Sequence, residues 1–203
     1  MLYPINFNYD NKEELIEVIP PPNSIEISIN GTGWNLLRNL LKLNITEVEY
    51  NINKPSQTKF ILSNSLLPYI AQSLENVNLN FVVTDSIFIN IEKKINKELK
   101  VLIDTSKISI ADNFQIVSDF ALSHDKIYVE GPQSIINSLP NTYFINTSET
   151  SNLSSDFNED FTVEIIHQNL SINPEKINLS FNIEEFVQEE IILKVDFYEE
   201  NFL

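Results

Sequence analysis

Residues 123–139 read SHDKIYVEGPQSIINSL: a polar turn, a short alternating strand, a glycine, a proline and a brief apolar helix. Nearly the same shape stands at residues 22–41, PNSIEISINGTGWNLLRNLL. The chain has only three glycines, and two of them, Gly31 and Gly131, hold the same place in the two stretches. A strand that stops and turns into a helix within one or two residues needs either a positive φ or a close backbone approach, and glycine allows both. Aligned on these glycines, Ile27 matches Ile127 and Ile29 matches Val129. The spacing predicts an internal repeat.

A second correspondence extends it. TDSIFINIEKKINKEL (84–99) resembles PEKINLSFNIEEFVQEEI (174–191), with Ile87, Ile89 and Ile91 opposite Ile177, Leu179 and Phe181. Each half thus runs strand, glycine, helix, a variable middle, then turn and exit strand. The expected division is residues 1–94 as a first unit and 95–190 as a second, joined near Lys93–Lys97. Residues 191–203 echo KELKVLID (97–104) and read as a terminal strand or the first strand of a third copy.

Alternation dominates the local pattern. Ile25, Ile27 and Ile29 fall on one face, with Glu26, Ser28 and Asn30 on the other. Period two means strands with one buried face, rich in branched and aromatic side chains. Further strands are expected in TEVEYNI (46–52), ELKVLI (98–103), FTVEII (161–166) and EIILKVDF (190–197). Helices are few and short. Residues 34–42 bring Trp34, Leu37 and Leu41 onto one stripe, with Leu36 and Leu40 beside it. A second helix is expected over 63–74, with Ser63 or Ser65 as N-cap and Pro68 tolerable only within the first turn. Pro132 is suited to open a third. The fold class is mainly β: tandem β units with a few short helices.

Composition narrows the functions. The 203 residues carry 42% hydrophobic and 21% charged side chains, enough apolar matter for one large domain or two small ones. Thirteen basic against 29 acidic residues give a net charge of −16, and no run of Lys and Arg interrupts that field. Nucleic acid and anionic membrane surfaces are repelled. Without cysteine there is no disulfide, thiolate metal site or thiol nucleophile. No apolar run approaches the roughly 18 residues of a membrane span. Met1 leads straight into LYPINFNYD, with no signal-peptide pattern, so export would have to be encoded further upstream.

No active site emerges. Gly31-Thr32-Gly33 lacks the third glycine or lysine of a nucleotide-binding loop. DFNED (156–160) has the first ligand positions of a calcium loop, but Phe161 stands where glycine is required and His167 where a bidentate Glu belongs. An acidic solvated loop is expected there. Ser123-His124-Asp125 holds the residue types of a hydrolytic triad, but neighbours in one turn cannot form its geometry. His167, in an apolar run, is expected to be a strand residue rather than a ligand. The carboxylate pairs Glu184-Glu185, Glu189-Glu190 and Glu199-Glu200 fall at strand ends and connections, and nothing singles one out for glycoside chemistry. Asn-x-Ser/Thr sites at Asn44, Asn146, Asn152 and Asn178 are expected by chance in so Asn-rich a chain. No catalytic, cofactor-binding or metal-binding residue is assigned, and no cofactor is expected.

The motifs DKIYVEGPQSIINSL, VTDSIFINIE, INPEKINLSFNI and PPPNSIEISINGTGWNLLRNLL together resemble the YbbR-like domain family. The second unit matches through Gly131 and Pro132. The first departs, with Thr32 for the proline and the added segment SQTKFILSNSLLPYIAQSLE (56–75), a layout similar to YbbR-like proteins of Bacteroidetes-type bacteria. The resemblance implies β units of swapped-hairpin type, similar to the C-terminal domain of the ribosomal protein L25 group. It also implies an N-terminal transmembrane anchor absent from this sequence and a location at the extracytoplasmic (periplasmic) face of the cell membrane. CdaR-type relatives regulate a membrane-bound diadenylate cyclase, which makes cyclic di-AMP. The expectation is a non-enzymatic regulatory or scaffold module acting on a protein partner, with such a cyclase as one candidate. The alternative is a cell-envelope glycan-binding module using Tyr143 and Phe144; a hydrolase ranks third.

Overall fold

The computed structural model describes residues 1–41, 46–147, 152–187, 189 and 191–194. Alternating β-branched and aromatic residues form β1 (Leu2–Asn8), β2 (Leu15–Ile19) and β3 (Ser24–Gly31), followed by α1 (Gly33–Leu40). Then come β4 (Val48–Asn51), β5 (Phe60–Leu62), α2 (Ser63–Ser73), β6 (Val77–Val82), β7 (Ser86–Phe88) and the long β8 (Asn90–Ile103). The remainder is β9 (Phe114–Ile116), β10 (Ala121–Leu122), β11 (Lys126–Pro132), α3 (Gln133–Ser138), β12 (Thr142–Ile145), β13 (Phe157–Thr162), β14 (Ser171–Asn173), β15 (Lys176–Phe181) and β16 (Ile183–Glu185). The chain is mainly β.

Strand pairing repeats. β1 runs parallel to β4 and antiparallel to β3, which is antiparallel to β6. In the second copy β8 runs parallel to β12 and neighbours β11, which is antiparallel to β14. The exit elements match as well. β5 pairs β7 as β13 pairs β15, and β2 pairs the first half of β8 as β9 pairs β16. All four of these pairings are antiparallel. One strand, β8, thus closes the first repeat with its first half and opens the second with its last.

Two compact units result. Unit 1 comprises Met1–Leu99, Ile127–Asn141 and Ile165–Asn173; unit 2 comprises Lys100–Lys126, Thr142–Glu164 and Pro174–Leu203. The strand–glycine–helix element of the second repeat therefore groups with the first unit. Unit 1 packs Tyr3, Ile5 and Phe7 of β1 against Ile25 and Ile27 of β3, with Leu66 and Ile70 of α2 and Ile87, Ile89 and Ile91. Tyr3 is fully buried, and its hydroxyl donates to the carbonyls of Thr46 at 3.0 Å and Ser73 at 3.4 Å. Unit 2 has a core of Phe157, Leu179, Phe181 and Ile183, fringed by Phe114, Phe120 and Phe161.

Gly31 and Gly131 act by close approach, since neither has a positive φ. Gly31 lies opposite Val77, and Gly131 lies against Leu170; each facing residue follows an asparagine in the left-handed region, Asn76 and Asn169. A Cβ on Gly131 would stand 2.4 Å from Leu170 Cδ2 and 3.0 Å from the Asn169 carbonyl oxygen, while one on Gly33 would meet open space. Gly131→Ala should therefore lower stability by about 1–3 kcal/mol through overpacking. Gly33→Ala, at the first helical position, should raise it by about 0.4–1 kcal/mol. Urea midpoints of the two variants should move in opposite directions.

Several expectations need correction. Ile29 is only half-buried, at the margin of the core, where the β3–β6 register shifts between Ser28 and Ile29. Its repeat counterpart Val129 is fully buried, as are Ile127, Ile177 and Leu179. Pro68 sits inside α2 beyond the first turn, and Leu62 rather than a serine is the N-cap. Ser63 instead turns inward and donates its hydroxyl to the Thr84 carbonyl. Residues 163–166 are not strand, and Ile166 is 92% exposed. Ile191–Lys194 are described without strand structure; Glu190 and residues 195–203 lie outside the described residues.

Candidate functional site

Two of the motifs weighed for chemistry, the Ser123–Asp125 turn and DFNED, are tied into the fold by structural bonds. His124 Nδ1 lies 3.0 Å from Ser123 Oγ, but that hydroxyl also accepts the Asn178 N–H at 2.9 Å, closing the turn onto β15. The group is exposed. His167 is exposed and outside any strand, contrary to the expected strand position. The DFNED stretch is not a loop either: it enters β13, antiparallel to β15. Asn178 donates to both Asn158 and Asp160 at 2.8 Å, and Asp156 accepts the Ile183 N–H at 2.8 Å. These side chains lock the strand pair. Among the described residues no group of three His, Asp or Glu side chains is placed to hold a metal.

Glu184 and Glu185 lie exposed on β16; Glu199, Glu200 and Asn44 fall outside the described residues. Of the aromatics proposed for glycan stacking, Phe144 is 56% exposed. Tyr143 is half-buried, and its hydroxyl accepts the Glu164 N–H at 3.1 Å. A second exposed pair escaped the sequence: Phe60 and Phe88 face each other across β5 and β7 with ring centroids 5.2 Å apart. Only the register could bring them together.

One carboxylate has a specific task. Glu92, on the first half of β8, accepts the backbone N–H of Ser134 at 2.9 Å and so caps the start of α3; Asn90 donates to its other oxygen at 3.1 Å. Burial pushes the Glu92 carboxyl up, but the bonds from Ser134 and Asn90 and the charge of Lys59 outweigh it and hold the group below its usual range. A lowered folded-state value stabilises above the unfolded one and is lost as pH falls through it. Glu92→Gln should therefore cost about 0.3–1 kcal/mol at pH 7. The difference from wild type should shrink as pH drops below about 4.5, which melting curves across pH 3–7 would show.

An exposed apolar feature borders α1. Its sequence GWNLLRNL places leucines around more than one face, while only one face can meet β3. The structure resolves this conflict unexpectedly. Asn39 is the buried residue, its amide donating to the Asn35 carbonyl at 2.9 Å, and Leu36 is half-buried. Trp34, Leu37, Leu40 and Leu41 point outward, 64, 42, 65 and 58% exposed. The predicted stripe forms but is not core. Between α1 and the outer face of β3 and β6 opens a groove of about 730 Å³, lined by Ile29, Leu36, Leu37, Leu40, Phe81 and Val83. Phe81 and Val83 are 56% and 48% exposed, so the floor is apolar as well. A contiguous apolar surface of this kind is the usual mark of an interaction site rather than of catalysis.

No family model matches the chain, and no curated protein matches it. Solved structures do. The chain is similar to a YbbR-like protein from Streptococcus pneumoniae. The two are 14% identical, with 91% of this chain and 92% of that one covered, at a TM-score of 0.38. It is also similar to a Streptococcus thermophilus protein solved in solution, at 12% identity, covering 49% of this chain and 93% of that one with a TM-score of 0.34. The first of these structures carries the name of the family that the sequence motifs resemble. No helix among the described residues is long and apolar enough to cross a membrane.

Proposed function

We propose that this chain is a non-enzymatic contact module of YbbR-like type. Its task is to bind a protein partner at the extracytoplasmic face of the cell membrane, to which an anchor outside this sequence would hold it. The observation that carries this reading is the exposed apolar groove beside α1, in a chain where Ser123 and Asp156 are spent on closing a turn and a strand pair. Catalysis needs an acid, base or nucleophile aimed into a pocket with an empty position beside it. Recognition needs only a patch of complementary shape and polarity. The partner that the sequence resemblance suggests is a membrane diadenylate cyclase, and the module would then act on cyclic di-AMP synthesis from outside.

The test has two arms. The full-length, membrane-anchored protein should co-purify with such a cyclase, and its deletion should change cellular cyclic di-AMP. The chain alone should turn over no ester, peptide or glycoside substrate. Turnover that disappears on substitution of His124 or His167 would sink the contact-only reading.

A further inference from the structure

Cations are scarce in this chain, thirteen against 29 acids, yet three of them meet at one place in unit 1. Lys54, Lys59 and Lys93 line two adjoining cavities that share Ser56 and Lys93. The first, of about 370 Å³, has only polar or charged side chains in its wall, among them Gln133, Ser134 and Asn137 of α3. The second, of about 310 Å³, adds Lys54 but also Asp10 and Glu14.

The backbone around the first cavity is tied down. Lys54 lies in the left-handed region, and its carbonyl accepts the N–H groups of Gln57 at 2.9 Å and Thr58 at 3.1 Å. The Thr58 hydroxyl donates to the Asn53 carbonyl at 3.0 Å, and the Lys59 carbonyl takes the Ile89 N–H at 3.0 Å. Lys93 is fixed in the ladder opposite Leu15. Such a frame is set before any ligand arrives, which lowers the ordering cost of binding.

The charge of the first cavity is positive on balance. Glu92 is its one carboxylate, and its oxygens already take the Ser134 N–H and the Asn90 amide. Lys59 gives one of its three N–H donors to Asn90. Lys93 has no ion pair or side-chain hydrogen bond among the described residues. An anion here meets two ammonium groups, whereas in the second cavity it would also meet Asp10 and Glu14. With no apolar or aromatic side chain in the wall, a hydrocarbon body or a stacked base gains nothing. A hydroxyl-rich body gains hydrogen bonds.

We propose that the first cavity binds a small acidic sugar. Its carboxylate or phosphate oxyanion bridges the Lys59 and Lys93 ammonium groups, and its hydroxyls bond to Ser56, Gln133 and Asn137. This goes beyond the contact-module reading and does not rest on it, since the cavity shares no lining residue with the groove beside α1.

The probes are glucuronate and glucose-6-phosphate, titrated into the whole chain and followed by amide NMR shifts at Ser56, Lys93 and the residues of α3. Saturable binding of at least one, with a Kd of about 1 mM or tighter, is expected for a ligand of this size. Glucuronate alone would assign the oxyanion as carboxylate, and glucose-6-phosphate alone as phosphate. Glucose, lacking the charge, should bind at least about tenfold more weakly, and so should acetate and inorganic phosphate, lacking the hydroxyls. Lys93→Gln, at an exposed position, should weaken binding about tenfold or more at an unchanged urea midpoint. Lys176→Gln, exposed on β15 of unit 2, should leave it unchanged. The proposal is overturned if neither sugar binds at about 10 mM, if the bare anions bind as tightly as the sugars, or if the two lysine variants lose affinity equally. Each of those results leaves the contact-module reading standing.

Discussion

Phe181→Ala should cost about 3–5 kcal/mol, the largest single loss expected of a side chain in unit 2. The ring is 2% exposed at the end of β15. It stacks on Phe157 with centroids 4.9 Å apart and meets Phe120 edge-on at 5.0 Å, so truncation removes both aromatic contacts along with its own buried area. The cluster around the ring is small, its buried members being Phe157, Leu179 and Ile183, and it has little else with which to refill the space. Phe114 and Phe161 already lie partly open at its margin. The measurement is the urea midpoint followed by near-ultraviolet circular dichroism. A loss under about 1 kcal/mol would mean that the three rings do not form the unit's centre.

Ile89→Ala should cost about 2–5 kcal/mol, while Ile29→Ala should cost well under half as much. Ile89 is fully buried between β7 and β8, its N–H bonded to the Lys59 carbonyl at 3.0 Å, in the main core of unit 1. Ile29 has the same residue type and the same place in an alternating strand, but at the register shift after Ser28 it is half-buried at the margin of the core. The pair isolates the bulge from the chemistry. Equal losses in parallel denaturation curves would show that Ile29 is core after all.

Much of the architecture was legible because period two and the rare glycines leave few options. With three glycines in 203 residues, two at matching places before a helix already announced a repeat, and the pairings of β1, β3, β4 and β6 recur in β8, β11, β12 and β14. The candidate site was barely legible. A stripe of Trp34, Leu37 and Leu41 looks the same whether it faces a core or a partner, since periodicity reports amphipathicity and not what lies opposite. Only the packed structure shows that Asn39 turns inward and the leucines outward. The task of Glu92 was hidden for a similar reason. Its bond to Ser134 spans 42 residues, and no local pattern encodes a distance of that kind.

The sequence by itself determined the mainly β class, the repeat and the absence of thiol chemistry, because these follow from side-chain alternation, glycine placement and composition. Tertiary structure decided the rest. It set which strand halves belong to which unit, made DFNED a paired strand, put Ile29 at the margin of the core and left α1 apolar on its open side. Each of these depends on register and on which face meets a neighbour. A one-residue shift in a strand turns every following side chain to the other face; alternation says which residues favour burial, but the partner strand and its bulges decide how far along the strand that holds.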